Sequence, residues 1–377
     1  AVDAAQAFLS DSALQTQAAA ALASSARAGQ LTDGQKRAVL RDVRRILDAT
    51  GNQPSASLVT LTGQVGQDRE FEKIAGWLDH PEPAVRRAAA QAWADSAFPL
   101  VFIAERADDP IIQPIAITAA RERGSDPQTL RTLALFPPAP GTAAREAWVE
   151  ALIAMAARVD PEQALATAQT LPSDALPGPR EAVLTAALDA APLGEPPTAA
   201  YLAMLLDRAE VRLMTQRPRL AALDFEGLVS RREQLTVAQR ERLDRGLVTA
   251  LLQTEQLVKA FGVARRLYEG SNGQLVQPSA DDPVIDLFIT AAESHVDAGR
   301  NGQAERLLDE LRMLLGPSMK PELAVRIGNV EDRAQRKADP RPEPSTPEVV
   351  EPGNNPMDAP STHATPTAPE STASAGN

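Results

Sequence analysis

A chain of 377 residues with a formal net charge of −12 repels the phosphate backbone as a whole, so general nucleic-acid binding is not expected. It has no cysteine, which removes zinc-finger, thiol-redox and cysteine-nucleophile chemistry, and no apolar run of about 18 residues that would form a transmembrane segment. Aromatics are only 3% while Ala and Leu abound, a balance that suits helix-on-helix packing better than a β-sandwich. The opening Ala1-Val2-Asp3 fits a mature exported, periplasmic chain behind a cleaved signal, with Met removal in the cytoplasm or a trimmed chain as alternatives.

In chain order, helical patterns run through 12–28, 31–51, 68–79, 84–97, 142–157, 180–190, 236–254, 257–268, 283–298, 302–315 and 320–337. The stretch 31–51 is the clearest. Thr32 or Asp33 caps it, Val39, Leu40, Val43, Ile46 and Leu47 line one face, and Gly51 stops it. Its other face carries Arg37, Arg41, Arg44 and Arg45. Connectors such as Pro137-Pro138-Ala139-Pro140-Gly141 and 192–197 are short and rich in Pro and Gly, and no stretch alternates with period two over more than a few residues. From Asp339 onward Pro, Ser, Thr, Ala and Glu dominate, a composition that cannot bury enough apolar surface to offset its ordering entropy. The expectation is an all-α fold with a disordered tail at 338–377.

Antiparallel helices joined by short turns and repeated many times predict an α-solenoid. LDHPEPAVRRAAAQAW (78–93) resembles the inter-helix turn and second helix of HEAT repeats, with Leu78, Pro81, Pro83, Val85, Arg86, Ala88, Ala89 and Ala92 in register. Weaker echoes follow at 107–120 and at Pro140–Trp148, and Arg-Glu-Ala recurs at 145 and 180, giving units of about 30 to 35 residues from 68 to 192. The resemblance implies a ladder between the turn acid and the helix Arg. Here His80 holds the acid position and Asp79 lies one place early, which predicts a weakened bond to Arg86. Further on, Phe288, Ala292, His295, Gly299, Ala304, Leu308 and Leu311, followed by Pro317, resemble a tetratricopeptide (TPR) unit. Leu247, Leu251, Ala260, Ala264 and Leu267 form a second partial match, offset by an expected loop at 269–283. The expected organisation is therefore an N-terminal helical section (1–65), HEAT-like pairs (66–193), TPR-like pairs (194–337) and the tail.

Residues suited to chemistry are sparse. Of three histidines, His80 lies in the repeat turn as a solvated or capping group, His295 at a helix-packing position, and His363 in the tail. No pair stands at i, i+4 for a metal, and neither GxSxG, GxxxxGK[ST], GxGxxG nor a DxDxDG calcium loop occurs. Asp108-Asp109 and Asp281-Asp282 each precede a Pro at an expected helix start, where acids favour the helix dipole and cap free amides. Gly299 and Gly302 mark a helix–helix turn.

Arg231, Arg232, Arg240, Arg242 and Arg245, interleaved with Glu233, Glu241 and Asp244, read as a solvated, salt-bridged surface. Arg37, Arg41, Arg44 and Arg45 form either a solvated face or a contact for an anionic partner. Trp77 and Trp93 either fill the interface of consecutive helices or anchor a partner from an exposed face. No cofactor is expected. The reading is a non-enzymatic scaffold for an unknown protein or peptide partner; a cell-envelope structural component and a helical-repeat lyase or glycosylase-like enzyme are the alternatives.

Overall fold

The computed structural model describes residues 2–51, 53–191, 197–268, 282–316 and 319–338. The tail at 339–377, most of the expected loop at 269–283, the connector at 192–196 and Pro317 lie outside the described residues. Among the described residues there are nineteen α-helices, one 3₁₀ turn at Arg232–Gln234 and no strand.

The first six helices are α1 (Val2–Phe8), α2 (Gln15–Arg27), α3 (Asp33–Ala49), α4 (Ala56–Val65), α5 (Asp68–Trp77) and α6 (Pro83–Ala94). The middle of the chain folds as α7 (Val101–Ala104), α8 (Gln113–Arg123), α9 (Pro127–Ala134), α10 (Ala143–Ala156), α11 (Pro161–Thr170) and α12 (Pro177–Ala190). The last seven are α13 (Ala199–Met214), α14 (Pro218–Val229), α15 (Val237–Gln253), α16 (Leu257–Tyr268), α17 (Pro283–Asp297), α18 (Asn301–Leu315) and α19 (Pro321–Ala338).

Local chemistry sets the ends of these helices. Thr32 closes a capping box with Gln35 on α3, and Gly51 follows that helix at φ +62°. Pro stands in the first turn of α6, α8, α9, α11, α12, α14 and α17, where its missing N–H has no intrahelical partner to lose. Asp282 caps α17, as expected of a paired acid at a helix start. Sequence patterning passes over α1, α4, α7, α9, α11, α13 and α14. In several of these a proline reads as a break yet opens the helix, and α4 has too short an apolar run to show a period.

Most successive helices pack on one another, and alternate helices stack in two rows. One row runs α2, α4, α6, α8, α10, α12; the other runs α7, α9, α11, α13, α15, α17, α19. This double stacking makes the fold an all-α solenoid. Three apolar clusters fill it, one from Leu9 to Ala119, one from Ala107 to Met204 and one from Leu202 to Ala334. Hand-over between them occurs on α8 and α13, each feeding two clusters. No break in the core marks residues 65/66, because α4 packs on α6 within a single cluster. Gly63 allows that approach: a Cβ there would lie 2.4 Å from the Ala92 Cβ.

Candidate functional site

The turn that resembles a HEAT repeat does form a ladder, through a different acid from the one expected. Arg86 Nε donates to Asp109 Oδ2 at 2.7 Å, and its Nη1 donates to the carbonyls of His80 (2.8 Å) and Pro81 (3.1 Å). Asp79 meanwhile takes a two-pronged bond from Arg106 at 2.8 Å, which holds its carboxyl below the usual range. His80 accepts the Glu82 amide proton on Nδ1 at 3.1 Å, so it closes the turn. The weakened bond predicted for Arg86 is thus corrected: the acid comes from the next turn in the chain.

Similar inter-unit pairs recur along the array: Arg121 with Glu150, Arg180 with Asp207, Arg242 with Glu210, Arg300 with Glu255 and Arg326 with Asp286. They are densest around α12 to α15. There Asp224 accepts from Arg208 and Arg212, Glu181 from Arg212 and Arg217, and Asp207 from Arg180 and Arg242. Asp207, Asp224 and Asp244 are buried, and Asp244 binds Arg232 at 2.6 Å. Within the arginine cluster at 231–245 the pairing is mixed: Arg232 and Arg242 reach the buried Asp244 and Asp207, while Arg245 pairs with the exposed Glu241 at 2.8 Å, as a solvated, salt-bridged surface would. Each buried carboxylate needs its guanidinium, because an unpaired charge there would cost several kcal/mol, on the order of 3–5.

The four arginines of the basic stripe on α3 differ in their partners. Arg44 turns to the buried Glu70 (2.7 Å). Burial pushes the Glu70 carboxyl up, and the bonds from Arg44 and the Gln67 amide outweigh it, leaving the group below its ordinary range. Arg45 bonds Ser10 and Asp42, Arg37 bonds the Asp33 carbonyl, and Arg41 remains exposed. Trp77 and Trp93 are buried, so neither presents an anchor to a partner. Trp93 packs edge-on to Phe71 and beside Phe98 and Phe102, and its Nε1 donates to the Pro99 carbonyl at 2.8 Å.

A different site emerges along the turns of the last three helix pairs. Helices α13, α15 and α17 end in the same way: the backbone swings into the left-handed region at Gln216 (φ +58°), Glu255 (φ +59°) and Gly299 (φ +73°). The following amides of Arg217, Gln256 and Arg300 then close back on Arg212, Leu251 and His295 at 2.8 Å. A side chain in that region is strained by roughly 1–2 kcal/mol relative to Gly. Two non-glycine residues here are thus kept at a cost, and both line one continuous groove.

Its first part, about 550 Å³, is walled by Gln216, Arg217, Pro218, Arg219, Gln253 and Glu255. The second, about 340 Å³, shares Gln253 and Glu255 and adds Thr249, Thr290, His295 and Arg300. Arg300 bridges to Glu255 at 2.5 Å and draws its carboxyl below the ordinary range. His295 is buried, and its Nδ1 has no hydrogen-bond partner among the described residues. Burial lowers the imidazole pKa, Arg300 adds to that shift and Glu255 opposes it. Arg219 is exposed and has no ion-pair partner among the described residues. Sequence reasoning singled out only His295 from this groove. A glutamine or glutamate in the position that Gly299 occupies was the available signal, and it shows only once the three turns are superimposed.

Among the described residues no helix is long and apolar enough to cross a membrane. Comparison with known proteins brings no match to a protein family, a curated protein or a solved structure.

Proposed function

We propose that the chain is a non-enzymatic scaffold, HEAT-like in its first units and TPR-like in its last, that binds an extended protein segment along the groove over the α13–α14, α15–α16 and α17–α18 turns. The observation that carries this reading is the retention of two strained non-glycine residues, Gln216 and Glu255, both lining that groove. Backbone strain of this kind is stored where side chains must be displayed in one geometry. Gln216, Gln253 and the unpaired Arg219 supply donors at intervals along the floor and rim, suited to the carbonyls and carboxylates of an extended chain.

The test compares affinity capture by the full chain, by a groove variant (Gln216→Ala, Arg219→Glu, Gln253→Ala) and by a control variant of the exposed arginines Arg37→Glu and Arg41→Glu. The reading expects at least one protein retained by the wild type and the control and reduced tenfold or more on the groove variant. Identical capture by all three proteins would refute it.

A further inference from the structure

A second, separate pair of grooves lies on the helices α14, α16 and α18. One, about 340 Å³, is bounded by Glu226, Val229, Lys259, Val263 and Arg266; the other, about 310 Å³, by Phe261, Arg265, Glu310 and Met313. Gly262 borders both. It sits in the interior of α16, where Gly costs about 1 kcal/mol relative to Ala. A Cβ there would meet nothing within 4 Å, so no contact inside the described chain requires the glycine. Around this saddle the surface is unusually apolar for an exposed helix: Val258 is 88% exposed and Met313 66%. Lys259 is engaged by Glu226, whereas Arg265 and Arg266 have no ion-pair partner among the described residues.

A fitting occupant would be short, apolar in the middle and acidic at both ends. The chain carries such a segment outside the described residues, Glu348-Val349-Val350-Glu351, within a stretch (339–377) that has six acids and one Arg. Reach permits the match. Asn301 at the start of α18 bonds the Ala334 carbonyl at 3.0 Å, which places the C-terminal turns of α19 beside that end of α18. Glu310 and Met313 lie about 15 Å further along α18, at 1.5 Å per residue. The step from α19 across α18 to α16 adds about 20 Å, at 8–10 Å per helix. Ala338 lies four residues past Ala334, about 6 Å further off, so the diagonal is about 29 Å, just within the roughly 30 Å that residues 339–347 span when extended. We propose that Glu348–Glu351 docks across Gly262, with Val349 and Val350 in the two grooves and the glutamates on Arg265 and Arg266. This self-docking goes beyond the scaffold reading and stands or falls independently of it.

The absence of cysteine allows a direct test. In the full chain, Gly262→Cys is paired either with Val350→Cys or with Thr365→Cys, and disulfide formation is followed under mild oxidation with thiol reactivities normalised. Loop length alone would make the two rates differ by less than about twofold. Docking predicts that the Val350→Cys pair closes at least tenfold faster, independently of protein concentration. Equal rates would overturn the proposal, and so would a disulfide whose rate scales with concentration, which would assign the grooves to a second copy. As a check without cysteines, hydrogen exchange at 258–266 should speed up several-fold when Val349→Asp and Val350→Asp are introduced in the full chain. Unchanged exchange there would equally overturn it.

Discussion

Arg86 and Asp109, on successive inter-helix turns, meet at 2.7 Å, and the same guanidinium also holds two carbonyls of its own turn. One side chain therefore ties a turn to itself and to the next unit. Arg86→Ala should lower unfolding stability by about 1–3 kcal/mol, since it leaves both the carbonyls and the carboxylate without their charged donor. A double-mutant cycle with Asp109→Asn, read by urea unfolding, should show a coupling of at least about 0.5 kcal/mol. Strict additivity would mean that the pair contributes nothing.

Asp224 takes three arginine hydrogen bonds in the interior network, from Arg208 on both oxygens and from Arg212 on one. Asp224→Ala should cost on the order of 3–5 kcal/mol, because it leaves the largely buried Arg208 guanidinium without its carboxylate and removes one of the two that hold Arg212. Replacing Asp224 together with Arg208 by apolar residues should recover part of that loss in thermal unfolding. A single variant as stable as the wild type would show that the network carries no stability.

Two glycines predict opposite signs. Gly63→Ala forces a Cβ into Ala92 between α4 and α6, and should destabilise by about 1–3 kcal/mol through overpacking. Gly328→Ala meets open space on α19 and should stabilise by about 0.5–1 kcal/mol. Chemical denaturation of the two variants side by side decides both claims.

Gln216→Gly removes a side chain from the left-handed region at φ +58° and should raise stability by up to about 1 kcal/mol. If the groove over the turns binds a protein segment, the same variant should also weaken that binding. Gain in one property with loss in the other is the expected signature, measured by unfolding and by capture.

Protonation of His295 should weaken the C-terminal units as pH falls. Its folded pKa lies below the ordinary value because burial and Arg300 disfavour the imidazolium. As pH falls through about 6.5 the unfolded chain takes up this proton before the folded one, so the contribution is present above that pH and lost below it. The urea midpoint should drop between pH 7.5 and 5.5 by more in the wild type than in His295→Leu. Equal drops would place the sensitivity elsewhere.

Legibility divides along physical lines. Helices with a strong 3.6-residue apolar stripe and a good cap, such as α3 with Thr32 and Val39 to Leu47, are readable because both signals are local. The short α4 and α9, and helices opened by a proline such as α14, are not, because their stability comes from neighbours in the stack. For the same reason Trp93 could be named as large and apolar, while its burial against Phe71 and Phe98 required the fold. Ion pairs show the limit most sharply. The residues 78–93 place Arg86 at a ladder position, yet its partner Asp109 lies 23 residues on and was assigned a capping role alone.

The sequence by itself determined an all-α chain of antiparallel pairs, since composition, periodicity and turn residues act within a few residues of one another. Tertiary structure alone decided which acid meets which arginine, where the core passes from one cluster to the next, and that Gln216, Glu255 and His295 share a groove. Those relations depend on stacking one unit against another, and no local pattern encodes the distance between them.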